Sequence, residues 1–224
     1  MTSNAIQDSR VRFLNDRPIR KGAYVIYWMQ QSQRAEYNHA LEYAVGNANE
    51  LQLPLLVGFG LTDDYPEANL RHYTYMLEGL AHTRLALEKR GIKLVLQFGD
   101  PAEVCLRLAR MAAVIICDCG YTRHQKMWRR HVAENSGCQV LQVESDVVVP
   151  VELVSPKAEY GARTLRPKIN WHLDTYLRPL RARNLKYASL GSGVQSRSRV
   201  HLVSVGEEVG RDSRVRRVGR GGGG

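Results

Sequence analysis

Five short, mainly apolar runs without strict polar–apolar alternation constrain this chain more than any other feature. They are AYVIYWM (23–29), PLLVGFG (54–60), IKLVLQF (92–98), AVIICD (113–118) and CQVLQVES (138–145). A strand with one wet face alternates polar and apolar residues. A strand apolar throughout must be covered on both faces, as in a parallel sheet sandwiched between helices. The segments between the runs have helical periodicity. In 35–51, Tyr37, Leu41, Ala44, Ala48 and Leu51 recur at steps of four and three. In 69–90, Leu70, Tyr73, Leu77, Leu80 and Leu87 share a face, and Gly91 follows as a natural stop. Asp100 and Pro101 are placed as N-cap and first residue of a helix after the third run. Residues 122–135 form another helical segment, ended by Gly137. The pattern predicts an α/β fold: a doubly wound, five-stranded parallel sheet of Rossmann-like type.

The flanking regions differ. Residues 1–20 are polar and weakly patterned and are expected to be an N-terminal extension to an α/β domain over 21–150. Residues 151–188 are basic and carry three prolines, which predicts a helical connector with its helix at about 167–178. Residues 189–224 lose all pattern, are rich in Gly, Ser, Arg and Val, and end in four glycines. They are expected to be a disordered tail, with a single strand at 200–205. The chain's net charge of +10 points to polyanionic partners. The tail holds seven Arg against three acidic residues, so the folded part is less basic than the total suggests. No apolar run approaches the roughly 20 residues of a membrane span. The N-terminus has no signal-like apolar core, so a cytoplasmic protein, or a nuclear one in a eukaryote, is expected.

In doubly wound sheets, ligands bind beyond the carboxyl ends of the strands, near the switch in strand order. The segments predicted there are 28–34, 58–63, 98–100 and 118–121. The stretch QQSQR (30–34) sets amides, a hydroxyl and a guanidinium at the end of the first strand, where side chains line a crevice. No GxGxxG, P-loop, nucleophile elbow or HExxH pattern is present, which excludes the common dehydrogenase, NTPase, hydrolase and zincin readings. The four cysteines form no CxxC pair and read as buried thiols; no metal site is expected. The histidines read as surface or capping residues, and Trp128 as core-facing. Arg129, Arg130, Arg163, Arg166 and Lys168 read either as a solvated basic face or as phosphate contacts.

Four segments found in order go further: YVIYWMQQSQRAEYNHALEYA, LPLLVGFGLTDDYPEANLRHYTYMLEGL, VESDVVVPVEL and KAEYGARTLRPKI. Together they resemble the amino-terminal domain of class II cyclobutane pyrimidine dimer photolyases, over about 11–187. The WMQQSQRAEYNHAL element stands where other photolyases and cryptochromes carry WFRRDLRLxDNxAL. The resemblance implies a two-domain flavoprotein. Its α/β domain seats an antenna chromophore, a deazaflavin or a folate. Its helical domain holds FAD and receives the pyrimidine dimer flipped out of UV-damaged DNA. The FAD-bearing domain is not in this chain, so the chain alone is expected not to catalyse repair. The antenna contacts expected from strand-end geometry are Trp28, Met29, Gln30, Gly58, Phe59, Asp118 and Tyr121, with aromatic rings flanking a planar ligand and Gln30 or Asp118 bonding its edge. Arg163, Arg166 and Lys168 are the expected nucleic-acid contacts. A monomer is expected. The alternative is a cryptochrome-like light-sensing or nucleotide-binding α/β module without repair activity.

Overall fold

The computed structural model describes residues 6–196. Its sheet has the order β1-β6-β5-β2-β3-β4. The five expected strands are β2 (Tyr24–Trp28), β3 (Leu55–Leu61), β4 (Lys93–Phe98), β5 (Ala112–Asp118) and β6 (Gln139–Val143), all mutually parallel. The chain moves outward from β2 through β3 to β4, then returns to the other side of β2 for β5 and β6. The strand order therefore reverses between β2 and β5.

Five strands were expected; a sixth, β1 (Val11–Phe13), pairs antiparallel with β6. Three residues, one of them the exposed Arg12, are too few to produce a periodic signal. The supposed extension is thus part of the sheet. Arg10 is buried and donates to the carbonyls of Glu144 and Val147, and the Asn15 amide donates to those of Ala133 and Cys138.

The helices explain the continuous apolar strands. Helix α1 (His39–Leu51) and α2 (Leu70–Glu88) cover one face, where they pack on Val25, Tyr27 and Met29 of the first run. Helix α3 (Pro101–Ala109) and α4 (Arg123–Asn135) cover the other, against Tyr24, Ile26 and Trp28. Successive side chains of β2 enter opposite cores, so both of its faces are buried. Asp100 caps α3 by accepting from the amides of Ala102 and Glu103, with Pro101 in the first turn as expected.

Two glycines of β3 serve this packing. A Cβ on Gly58 would lie 2.8 Å from Leu108 of α3, and one on Gly60 would lie 2.7 Å from the Pro101 Cα. The helix rides directly on the strand there.

Past β6 come α5 (Val151–Val154) and α6 (Ala162–Tyr176). Helix α6 starts five residues earlier than expected, so Pro167 lies inside it rather than at its start. The chain then runs back as a strap over α1. Glu42, 2% exposed, takes the Arg90 guanidinium at 2.7 Å and the backbone N–H of Arg183 at 2.6 Å. Leu180 and Leu185 pack on the core beneath.

The expected tail opens with a held segment rather than a patternless one. Ser189 is buried, its N–H donates to Gly91, and its hydroxyl accepts from the N–H of Lys93. Lys93 Nζ reaches the Ser192 carbonyl, and Gln97 reaches that of Gln195. Serines carry no hydrophobic period, yet their hydroxyls and carbonyls satisfy the open edge of β4. Residues 197–224, including the strand expected at 200–205, lie outside the described residues.

Gly60→Ala should cost about 2 kcal/mol in urea unfolding, because the new methyl meets backbone that cannot turn aside. Gly58→Ala should cost less, since the Leu108 side-chain tip that it meets can shift.

Candidate functional site

Where the strand order reverses, one carboxylate organises the chain. Asp118 ends β5 and is 3% exposed. Its Oδ2 accepts from the consecutive N–H groups of Gln30, Gln31 and Ser32, at 2.9, 2.9 and 3.0 Å. Its Oδ1 accepts from the Tyr27 hydroxyl at 2.6 Å. Burial pushes this carboxyl above its ordinary range, while the four donors pull it back toward the ionised form.

Asn38 completes the loop. Its amide donates to the Tyr27 hydroxyl and to the carbonyls of Ser32 and Arg34, and its Oδ1 caps α1 by accepting from Leu41 N–H. The Ser32 hydroxyl and Arg34 both bond Asp146 after β6, at 2.7 and 2.9 Å. Helix α1 starts at His39, not at residue 35, because Asn38 stands in extended conformation as its N-cap. Tyr37, expected on the apolar stripe, stands before the helix with a positive φ and is 67% exposed.

Beside this loop, over the carboxyl ends of β2 and β3, lies a cleft of about 910 Å³. Its floor includes Gln30, Phe59 and Gly60, and the end of Trp128 closes one side. Its outer wall is the loop after β3 and the start of α2, which contribute Tyr65, Tyr73, Tyr75 and Met76. The Gly60 N–H donates to Gln30 Oε1, and Tyr65 stands 6.2 Å from Trp128, ring centre to ring centre.

The sequence-derived residues divide. Gln30 and Phe59 line the cleft. Trp28 lies behind it, lining a small slot with Gln31, Gln125 and Trp128. Met29 is fully buried under α1 and α2, and Gly58 faces α3. Asp118 is spent on the loop, and the Tyr121 hydroxyl bonds Glu144. Arg163 and Arg166 are exposed on α6, while Lys168 is paired with Glu159 at 2.5 Å.

The aromatic wall went unread. The signal for it was a second stripe on α2, in which His72, Met76, Gly79 and His82 recur at steps of four, three and three beside the core stripe. All four line the cleft. A Cβ at Gly79 would meet nothing within 4 Å, so packing does not explain a glycine inside a 19-residue helix, where it lowers helix stability. It leaves the cleft wall low.

Among the described residues, no cluster of His, Cys, Asp and Glu could hold a metal ion, and no helix is long and apolar enough to cross a membrane.

Comparison with known proteins gives one consistent match. Residues 25–185 match the family model described as DNA photolyase. The deoxyribodipyrimidine photo-lyase of Methanothermobacter thermautotrophicus is 49% identical over 186 residues, which cover 83% of this chain and 42% of that protein. The Potorous tridactylus enzyme of the same name is 35% identical over 156 residues, covering 68% of this chain and 29% of that protein. The chain thus spans less than half the length of these curated relatives. Among solved structures, the archaeal photolyase from Sulfolobus tokodaii superposes with a TM-score of 0.56 at 18% identity, over 64% of this chain and 34% of that one, a likeness of fold.

Two outcomes follow from the loop. Asp118→Asn should cost about 3 kcal/mol or more in chemical denaturation, because an amide nitrogen cannot accept where the carboxylate gathered donors. His39, the first residue of α1, should make stability depend on pH. Burial, with Arg10 and Arg34 nearby, lowers its pKa from 6.5 to about 4. The fold favours the neutral ring, so this contribution is complete above pH 6.5 and is lost as pH falls towards 4. Urea titrations at pH 7 and pH 4.5 should show a smaller loss for His39→Gln than for the unaltered protein.

Proposed function

Because the chain belongs to the DNA photolyase family, we propose that it is the light-gathering α/β module of a class II photolyase. The whole protein would repair cyclobutane pyrimidine dimers in UV-damaged DNA, as a monomer in the cytoplasm or nucleus, using reduced FAD held in a helical domain outside this chain. On this reading the module alone does not repair DNA. It seats an antenna chromophore, a deazaflavin or a folate, in the cleft at the strand ends.

The observation that carries this reading is the cleft itself. Its volume of about 910 Å³ falls in the range of small-molecule sites. Phe59, Tyr65, Tyr73, Tyr75 and Trp128 offer ring surface to a planar molecule, and Gln30 and Gln33 offer amides to its edge. Behind the floor, the buried Trp28 Nε1 finds no hydrogen-bond partner among the described residues and suits an acceptor group. Such a chromophore would supply near-ultraviolet absorption and excitation transfer to the flavin of the whole protein. What this chain's residues do is hold the ring flat, keep water from its faces and fix its orientation. Arg163 and Arg166, with Lys168 once released from Glu159, are assigned to phosphate contacts of the whole protein. Their exposure on α6 supports that assignment.

Titrating the purified protein with deazariboflavin and with methenyltetrahydrofolate should shift the near-ultraviolet band of one of them. Gly79→Phe, which raises the wall of the cleft, should weaken that binding by tenfold or more while leaving the circular dichroism spectrum in place. No spectral shift with either compound, in protein that melts cooperatively, would remove the antenna assignment.

A further inference from the structure

Trp28 ends β2 and is 2% exposed, and its Nε1–H meets no acceptor among the described residues. Native proteins rarely leave a buried donor so, because it forgoes its bonds to water and gains none in return. The indole lines a slot of about 10 Å³, together with Gln30, Gln31, Asp118, Gln125 and the guanidinium-bearing Arg129. That space admits one oxygen-sized atom. The slot and the large cleft share Gln30, Gln31, Gln125 and Trp128 as lining residues.

The amides beside the slot are fixed in orientation by their own bonds. Gln125 Oε1 accepts from the N–H and the hydroxyl of Thr122, so its Nε2 must donate, and it does so to Gln31 Oε1. Gln30 Oε1 accepts from Gly60 N–H at 3.2 Å. What Gln30 has left for a ligand is its Nε2 donor. The floor of the cleft therefore meets a ligand with N–H groups, those of Gln30 and Trp28. The carboxylate that lines the slot, Asp118, has both oxygens occupied.

We infer that Trp28 is the specificity-determining donor of this site: its Nε1–H takes a single ring carbonyl oxygen projecting from the edge of a planar heteroaromatic ligand in the cleft. The inference rests on the antenna reading above and adds to it which edge of the ligand points inward. A ring edge carrying only donors would face the two N–H groups and be rejected.

The test is a pair of measurements with deazariboflavin, which carries ring carbonyls and no charged group. Trp28→Phe keeps an aromatic ring in the core and removes the N–H donor together with part of the indole's volume. Its dissociation constant, read by fluorescence titration, should rise about tenfold. Its melting temperature should fall, because the smaller ring leaves a cavity in the core, so the two affinities are compared at a temperature where both proteins are folded. Equal affinity in the two proteins overturns the inference and leaves the antenna reading standing; failure of the unaltered protein to bind any chromophore overturns both. The second measurement needs no variant beyond the one that assigns the signal. In nitrogen-15 spectra, the Trp28 indole N–H resonance should move downfield when deazariboflavin is added. A resonance already hydrogen-bonded in the free protein and unmoved by ligand would mean that the slot holds a water molecule only, and would also overturn the inference.

Discussion

The Asp118 carboxylate is the constraint on which this end of the molecule depends. In a doubly wound sheet, the gap between the two central strands is where backbone N–H groups converge and where phosphate-bearing ligands usually rest. Here three consecutive N–H groups converge as well, but on a carboxylate of the protein itself. The position an external anion would take is occupied internally. Charge-assisted bonds of this kind are among the stronger ones available to a chain, and they hold a loop that has no regular structure of its own. Through Asn38 the same loop sets the first turn of α1, and through Ser32 and Arg34 it is tied to Asp146 beyond β6. One side chain thus links the ends of β2, β5 and β6 with the start of a helix.

The consequence for binding is a displacement. With the gap between β2 and β5 filled, the open volume moves one strand over, to lie above β2 and β3 against α2. No lysine or arginine is among the residues lining that cleft; its formal charges come from Glu67 and Glu78. Recognition there falls to ring faces and to amide groups. The chain therefore keeps the architecture of a nucleotide-binding sheet while its crevice suits an uncharged planar molecule. The missing Gly-rich phosphate loop in the sequence and the occupied anion position in the structure express the same fact.

How far the sequence disclosed this depends on the kind of interaction. The five parallel strands and the helices α1 to α4 were legible because burial imposes a period on each, and Asp100 with Pro101 marked a helix start through local bonds alone. Interactions between residues far apart in the chain left no such trace. Asp118 meets residues 30–32 across nearly ninety positions, so it read as an acidic group open to a ligand when it is in fact consumed by the loop. The strand β1 and the segment 189–196 escaped for a related reason: short polar stretches hold to sheet edges by backbone and hydroxyl bonds that carry no hydrophobic signature. Trp128 was rightly read as core-facing, yet it also closes the cleft, since a large ring can be buried on one side and form a wall on the other.

Glycine shows most clearly why composition alone misleads. Gly58 and Gly60 stand at a strand's carboxyl end, where a bare backbone suggests close approach by a ligand. Their missing side chains instead admit α3, with Leu108 and Pro101 in the space. Gly79 lies mid-helix, where nothing in the sequence marks it as different from an ordinary weak point, and the space beside it is open. A glycine whose missing side chain is filled by the protein's own atoms reports packing, whereas the exposed Gly79 has only open space beside it. Gly79 lines the cleft with His72, Met76 and His82, so the cleft is built from the helix as much as from the strand ends that first pointed to it.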